Sequence, residues 1–150
     1  MTEFLPAKGM FITIPKIHAQ AQVTENVDPF NEKEYNEVLK KNIAHAKGTA
    51  LPGEEGTIFL FAHSSGTPWE ITRFNTIFLR LGELQKGDSI VLVRNGKKFA
   101  YTVSNKKEVW PSEVSYLLDT KQTQLILQTC TPIGTSLKRL LVFAEPTDIR

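Results

Sequence analysis

Cys130 is the only cysteine in the chain, and its sulfur is the strongest nucleophile the sequence offers. A lone cysteine is either a small buried hydrophobe or a reactive thiol. Attack requires the thiolate. With ordinary values of about 8.5 for a thiol and 6.5 for an imidazole, only about 3% of a free cysteine is ionised at pH 7. A working thiol therefore needs a base beside it, either to hold the thiolate or to take the proton as attack occurs. Three histidines are available, His18, His45 and His63. His18 falls in an early strand and His45 follows a helix, positions that suit structural or solvent-exposed roles. His63 ends a strongly apolar run and enters a Ser64-Ser65-Gly66 loop, and Cys130 likewise ends an apolar run just before a turn. Strand ends that open into loops hold a side chain firmly yet leave it accessible. If the two strands run in the same direction, both residues emerge at one rim. Acyl transfer also builds an oxyanion that needs donors. Arg139 enters the strand after Cys130, which returns antiparallel across a short connection. It is placed either to serve the oxyanion or to be a surface cation next to Lys138.

Other chemistries find less support. A metal centre needs three or four ligands at short spacing, and one cysteine with three scattered histidines supplies neither a CxxC nor an HxxxH pair. Neither metal nor cofactor is expected. Gly53-Glu54-Glu55-Gly56 is a turn and matches no phosphate-binding loop. With 18 basic and 16 acidic residues the net charge is +2, too balanced to argue for a nucleic-acid partner. Apolar runs are strand-length, well short of the roughly 20 residues of a spanning helix, and no signal peptide opens the chain. Any membrane anchor is expected to lie outside these residues.

The 150 residues suffice for one domain with its own core. Short runs rich in Val, Ile, Phe, Thr and Leu, punctuated by turn residues, mark a mostly-β protein. Strands are expected at 10–14, 17–23, 57–62, 89–94, 97–104, 124–129 and 137–144, with a shorter one at 46–50. Asn95-Gly96 is the strongest hairpin signal in the chain. One helix is expected at 31–42, capped by Asn31 with Glu34 three residues on. The stretches 64–86 and 106–120 read as connections, each with a possible helical turn, at 75–81 and 112–117. About eight strands of this character favour a closed barrel, which removes exposed edges. A two-sheet sandwich is the alternative.

The residues then become specific. Leu127-Gln128-Thr129-Cys130 resembles the Leu-X-Thr-Cys signature of sortases, and Arg139 falls where that family carries an essential arginine. The stretch from Ala44 through Leu51-Pro52-Gly53 to Phe59-Leu60-Phe61-Ala62-His63 is similar to the run that ends in the sortase histidine. Ile12-Thr13-Ile14-Pro15 resembles the usual first strand, and Phe74 to Ile90 the middle section. The resemblance spans about residues 10–145. It departs at Ile126, where many sortases have Thr. Its short 131–135 turn is closer to class D, E or a related minor class than to class A.

The resemblance implies an eight-stranded sortase barrel and a cysteine transpeptidase. Cys130 would attack the Thr–Gly bond of a signal similar to Leu-Pro-X-Thr-Gly. His63 would serve as acid and base, and Arg139 would hold the carbonyl and the oxyanion. The thioacyl group would pass to an amine, in the family a cell-wall precursor or a pilin lysine. The 107–118 segment matches the family's substrate loop, with Val109, Trp110, Val114 and Leu117 as apolar contacts, and Thr129 would help to position substrate. Such enzymes work outside the cytoplasm, held at the membrane by an anchor. A hydrolase on the same scaffold, or less readily a non-catalytic β-barrel binding module, remains open. Asp28-Pro29-Phe30 mimics the lid motif of pilin-polymerising sortases but reads as a helix-entry turn. Glu54, Glu55, Glu108 and Glu113, which fall in loops that bind calcium in some class A members, read as surface acids.

Overall fold

Eight strands close into one barrel in the order β1-β2-β3-β4-β7-β8-β6-β5. The structure, a computed structural model, describes residues 8–28, 31–39, 42–62, 80–110, 112, 122–131 and 138–147. The strands are β1 (Met10–Ile14), β2 (Ala19–Val27), β3 (Ile43–Ala46), β4 (Thr57–Phe61), β5 (Ser89–Arg94), β6 (Lys97–Val109), β7 (Gln124–Thr131) and β8 (Lys138–Pro146), with one α-helix among the described residues, α1 (Glu32–Leu39). The closed barrel expected from strand count is present, and the sandwich is not.

Alternation explains how the barrel fills. In β1, Met10, Ile12 and Ile14 are buried while the residues between them are not. They join Ile58, Leu60, Leu125, Leu127, Val142 and other side chains in one core. A second, smaller cluster gathers Phe59, Phe61, Ile126 and Leu141 with Val27, Ala44 and Val109, and Val38 of α1 packs against it. Consecutive residues of β4 therefore serve two cores, which is why that run is apolar on both faces.

Two neighbouring pairs are parallel, β2 with β3 and β4 with β7. The rest are antiparallel, so the C-terminal ends of β4, β6 and β7 and the start of β8 meet at one rim. The β5–β6 hairpin turns at the opposite rim. There Asn95 and Gly96 both have positive φ, 51° and 82°, as a two-residue type I′ turn demands.

Several boundaries differ from the sequence expectation. Pro15–Ile17 forms a 3-10 turn closed by left-handed His18, so β2 begins at Ala19 rather than residue 17. β3 lies at Ile43–Ala46, earlier than the expected 46–50, and residues 47–50 instead form the turn leading toward β4. β6 runs on to Val109 through a stretch expected to be loop. A bulge between Val103 and Asn105 resets its register, and β8 pairs with it as far as Arg139. Over α1 the expected cap holds: Asn31 Oδ1 accepts the Glu34 N–H at 3.1 Å. The Glu34 carboxylate accepts the Asp28 N–H at 2.8 Å; Pro29 and Phe30, read as part of a helix-entry turn, lie outside the described residues. The helical turns expected at 75–81 and 112–117 lie largely outside the described residues, apart from a 3-10 turn at Leu81–Glu83.

His45 is fully buried. Its Nδ1 accepts the Asn26 N–H at 3.1 Å, so the proton sits on Nε2, within 2.9 Å of the Ala50 carbonyl and 3.0 Å of Thr49 Oγ1. It ties a β2 residue with left-handed φ, Asn26, to the turn after β3, a structural task. Burial pushes its pKa below the ordinary 6.5. The unfolded chain therefore takes up this proton first, so the stabilisation is complete above about pH 6.5 and is lost as pH falls below it. Melting temperature is expected to decline between pH 7 and 5 with a component that His45→Gln removes. An identical decline in both proteins would refute it.

Candidate active site

Cys130 and Arg139 are direct partners across β7 and β8. Facing residues of antiparallel neighbours stand roughly 4.5–5.5 Å apart at Cα, the closest approach two strands make. On its other side Arg139 is paired with Val109, the last residue of β6. Three strands thus deliver Cys130, Arg139 and Val109 to one row across the sheet. Arg139 is half-buried, and its Nη1 lies 3.4 Å from the Lys138 carbonyl, which accepts from it.

β4 runs beside β7 and parallel to it, with Phe61 paired to Gln128, and the Ala62 N–H donates to the Gln128 carbonyl at 3.1 Å. The condition set from sequence, that the strands leading to His63 and Cys130 share a direction, is met. His63 itself lies outside the described residues, as do Val114 and Leu117. Phe61 is the last paired residue of β4, and His63 follows it by as many positions as Cys130 follows its partner Gln128.

The remaining expected contacts divide. Val109 is a strand residue rather than a loop residue, only 4% exposed within the second apolar cluster, because the β8 ladder carries β6 further than its polar composition implied. Trp110, one residue on, is 52% exposed. Lys138 Nζ sits 4.9 Å from the centre of its ring, a cation–π contact at the mouth of the row. Thr129 is 3% exposed, and its hydroxyl has no hydrogen-bond partner among the described residues. The same holds for the Gln128 side-chain oxygen, which sequence reasoning passed over. The signal was the point in β7 where the apolar run Leu125–Leu127 gives way to polar residues, one pair before Cys130. A cleft of about 550 Å³ lined by Pro52, Arg94, Lys97 and Phe99 opens at the other rim, away from Cys130. No helix among the described residues is long and apolar enough to cross a membrane.

A barrel that sets a cysteine against an arginine at its rim is compared readily with known proteins. The sortase domain family matches residues 12–147. Sortase D of Bacillus subtilis (strain 168) is 30% identical over 149 residues, covering 95% of this chain and 67% of that protein. Among solved structures, sortase C-1 from Actinomyces oris superposes with a TM-score of 0.77 at 28% identity, over 93% of this chain and 74% of that one. Sortase C of Clostridium perfringens, solved with the C-terminal cell wall sorting motif, gives 0.74 at 30% identity, over 93% and 70%. The chain belongs to the sortase family. It is a sortase-type cysteine transpeptidase, of a family that acts at the bacterial cell surface on proteins bearing sorting signals. The class D relative is compatible with the class D or E character read from the short turn after Cys130.

Proposed function

We propose that this chain is a single catalytic domain that cleaves a Leu-Pro-X-Thr-Gly-like signal between Thr and Gly and transfers the acyl part to an amine. The observation that carries the reading is the direct Cys130–Arg139 pair at the rim where β4 also ends. The Cys130 thiolate adds to the threonine carbonyl carbon. Arg139 donates hydrogen bonds to the oxygen as it gains charge. The C–N bond breaks, the glycine amine leaves with a proton from His63, and a thioester to Cys130 remains. An incoming amine then adds to the thioester carbonyl, gives its proton to His63 and expels the thiolate. Proton and sulfur return to their starting states, so no cofactor is consumed. Val109, Trp110, Val114 and Leu117 contact the Leu-Pro portion, and Thr129 helps to position the substrate. The acceptor is a cell-wall precursor or a pilin lysine, and the enzyme works outside the cytoplasm, held by an anchor beyond these residues.

A panel of Leu-Pro-X-Thr-Gly-like peptides, followed by mass spectrometry of the intact protein, tests this. The expected result is one acyl adduct on Cys130, whose decay accelerates when amine is added. Adduct decay indifferent to every amine would replace the transferase with a hydrolase. No adduct with any peptide, together with a thiol inert to alkylating reagents in the folded protein, would sink the reading.

A further inference from the structure

Gln128 has its main-chain carbonyl satisfied by Ala62, whereas its side-chain oxygen is buried with no hydrogen-bond partner among the described residues. Its Cα partners are Phe61 on β4 and Leu141 on β8, both members of the second apolar cluster. The side chain therefore lies on the face of the sheet that carries this apolar cluster, in the same strand as Cys130. A buried acceptor left unsatisfied weakens the folded state, and natural proteins rarely keep one without a use. The residue as a whole is only partly buried, and the terminal torsion of a glutamine is broad and roughly two-fold. The carboxamide can therefore turn outward when something offers it a proton.

We infer that Gln128 is a specificity residue that accepts a hydrogen bond from a main-chain N–H of the bound sorting signal. This rests on the active-site reading above. Gln128 lies two residues from Cys130 along β7, roughly 6–7 Å at a strand's rise. In an extended signal with its threonine carbonyl at Cys130, the main-chain nitrogen of X, one residue upstream, lies roughly 6 Å from that carbonyl, a matching span. Proline has no N–H to give, which leaves the N–H of residue X as the donor. The acceptor has no partner among the described residues of the free enzyme and gains one in the complex, so the gain falls on binding.

The test pairs one variant with one altered substrate. A turned-over panel peptide with alanine at X is compared with its analogue carrying lactic acid there, which replaces that N–H by an ester oxygen and keeps the side chain. Wild-type enzyme is expected to use the lactate analogue about tenfold less well in kcat/KM, mostly through KM, the usual scale of one hydrogen bond lost at a desolvated site. Gln128→Met, similar in shape but without the acceptor, is expected to show the same tenfold loss on the ordinary peptide and no further loss on the analogue. Its melting temperature should hold or rise, because an unsatisfied acceptor has been removed. A wild-type enzyme indifferent to the ester overturns the inference without needing the variant. Additive losses, or a lowered melting temperature, overturn it too. If the peptides acylate Cys130 and these patterns fail, only Gln128's role is lost; if nothing acylates Cys130, the functional reading fails first and this inference with it.

Discussion

Cys130→Ala is expected to abolish acyl-adduct formation and to lower signal-peptide turnover by at least about 10⁴-fold, with the fold retained. The loss is large because no other thiol exists in the chain, and the neighbouring donors only stabilise charge that this sulfur must first create. His63→Ala is expected to cost nearly as much, since without the imidazole the glycine amine leaves unprotonated. Groups that act as one unit do not add, so the double variant should be no worse than the poorer single one. Circular dichroism on each variant checks that β7 still forms, and intact-mass measurement after incubation with peptide reads the adduct. Substantial cleavage by Cys130→Ala would show that the chemistry belongs elsewhere. Losses that multiply in the double variant would show that the two residues do not serve one step.

Much of the fold was legible because local and global signals agree. Asn95-Gly96 between two β runs specifies its hairpin on its own, and Asn31 with Glu34 specifies the start of α1. The alternation in Met10–Ile14 marks one buried face. What escaped had a physical cause. Ser104 to Glu108 is polar and mostly exposed, so neither propensity nor alternation announces a strand there. It is a strand because β8 lies beside it and completes the ladder through a bulge, a long-range pairing invisible to a window of neighbouring residues. β3 slipped for a related reason. Ile43–Ala46 is buried at every position, with no period to read, and His45 within it looks polar. Only the partners of its ring, Asn26, Thr49 and Ala50, show why a histidine belongs there.

The site divides along the same line. The order of Cys130 and Arg139 around one turn made a close approach predictable, since a short connection forces antiparallel return. That they would be exact partners depends on the length of the turn and the register of β8, which residue types do not encode. The parallel contact of β4 and β7 is less accessible still. The chain between those strands contains β5 and β6, and the contact exists only because the barrel closes with β4 and β7 side by side. Val109 and Trp110 show how such placement redistributes roles between neighbours. One sits in an apolar cluster and the other at the surface beneath Lys138, although both looked alike as apolar residues at the start of a loop.

Arg139→Lys is expected to lower kcat by about 10²–10³-fold while leaving KM and melting temperature close to wild type. The guanidinium is planar and offers several donors in a fixed fork, whereas an ammonium is a compact, strongly hydrated point charge. Position 139 is fixed by two ladders at once, paired to Cys130 on one side and Val109 on the other, so neither substitution nor substrate can shift its Cα toward the reacting carbonyl. Reach and direction must come from the side chain, and lysine keeps the charge while losing the fork. Donors aimed at a developing oxyanion act in the transition state far more than in the ground state, which puts the loss in kcat. The half-buried setting of Arg139 spares stability, because a lysine can keep its ammonium in water. Three outcomes separate the roles. A loss confined to KM would make Arg139 a substrate anchor. A fall in melting temperature with equal loss in every parameter would make it a structural tie between β6, β7 and β8. Full turnover by the lysine variant would show that charge alone suffices at this position and that the fork geometry is irrelevant to the reaction.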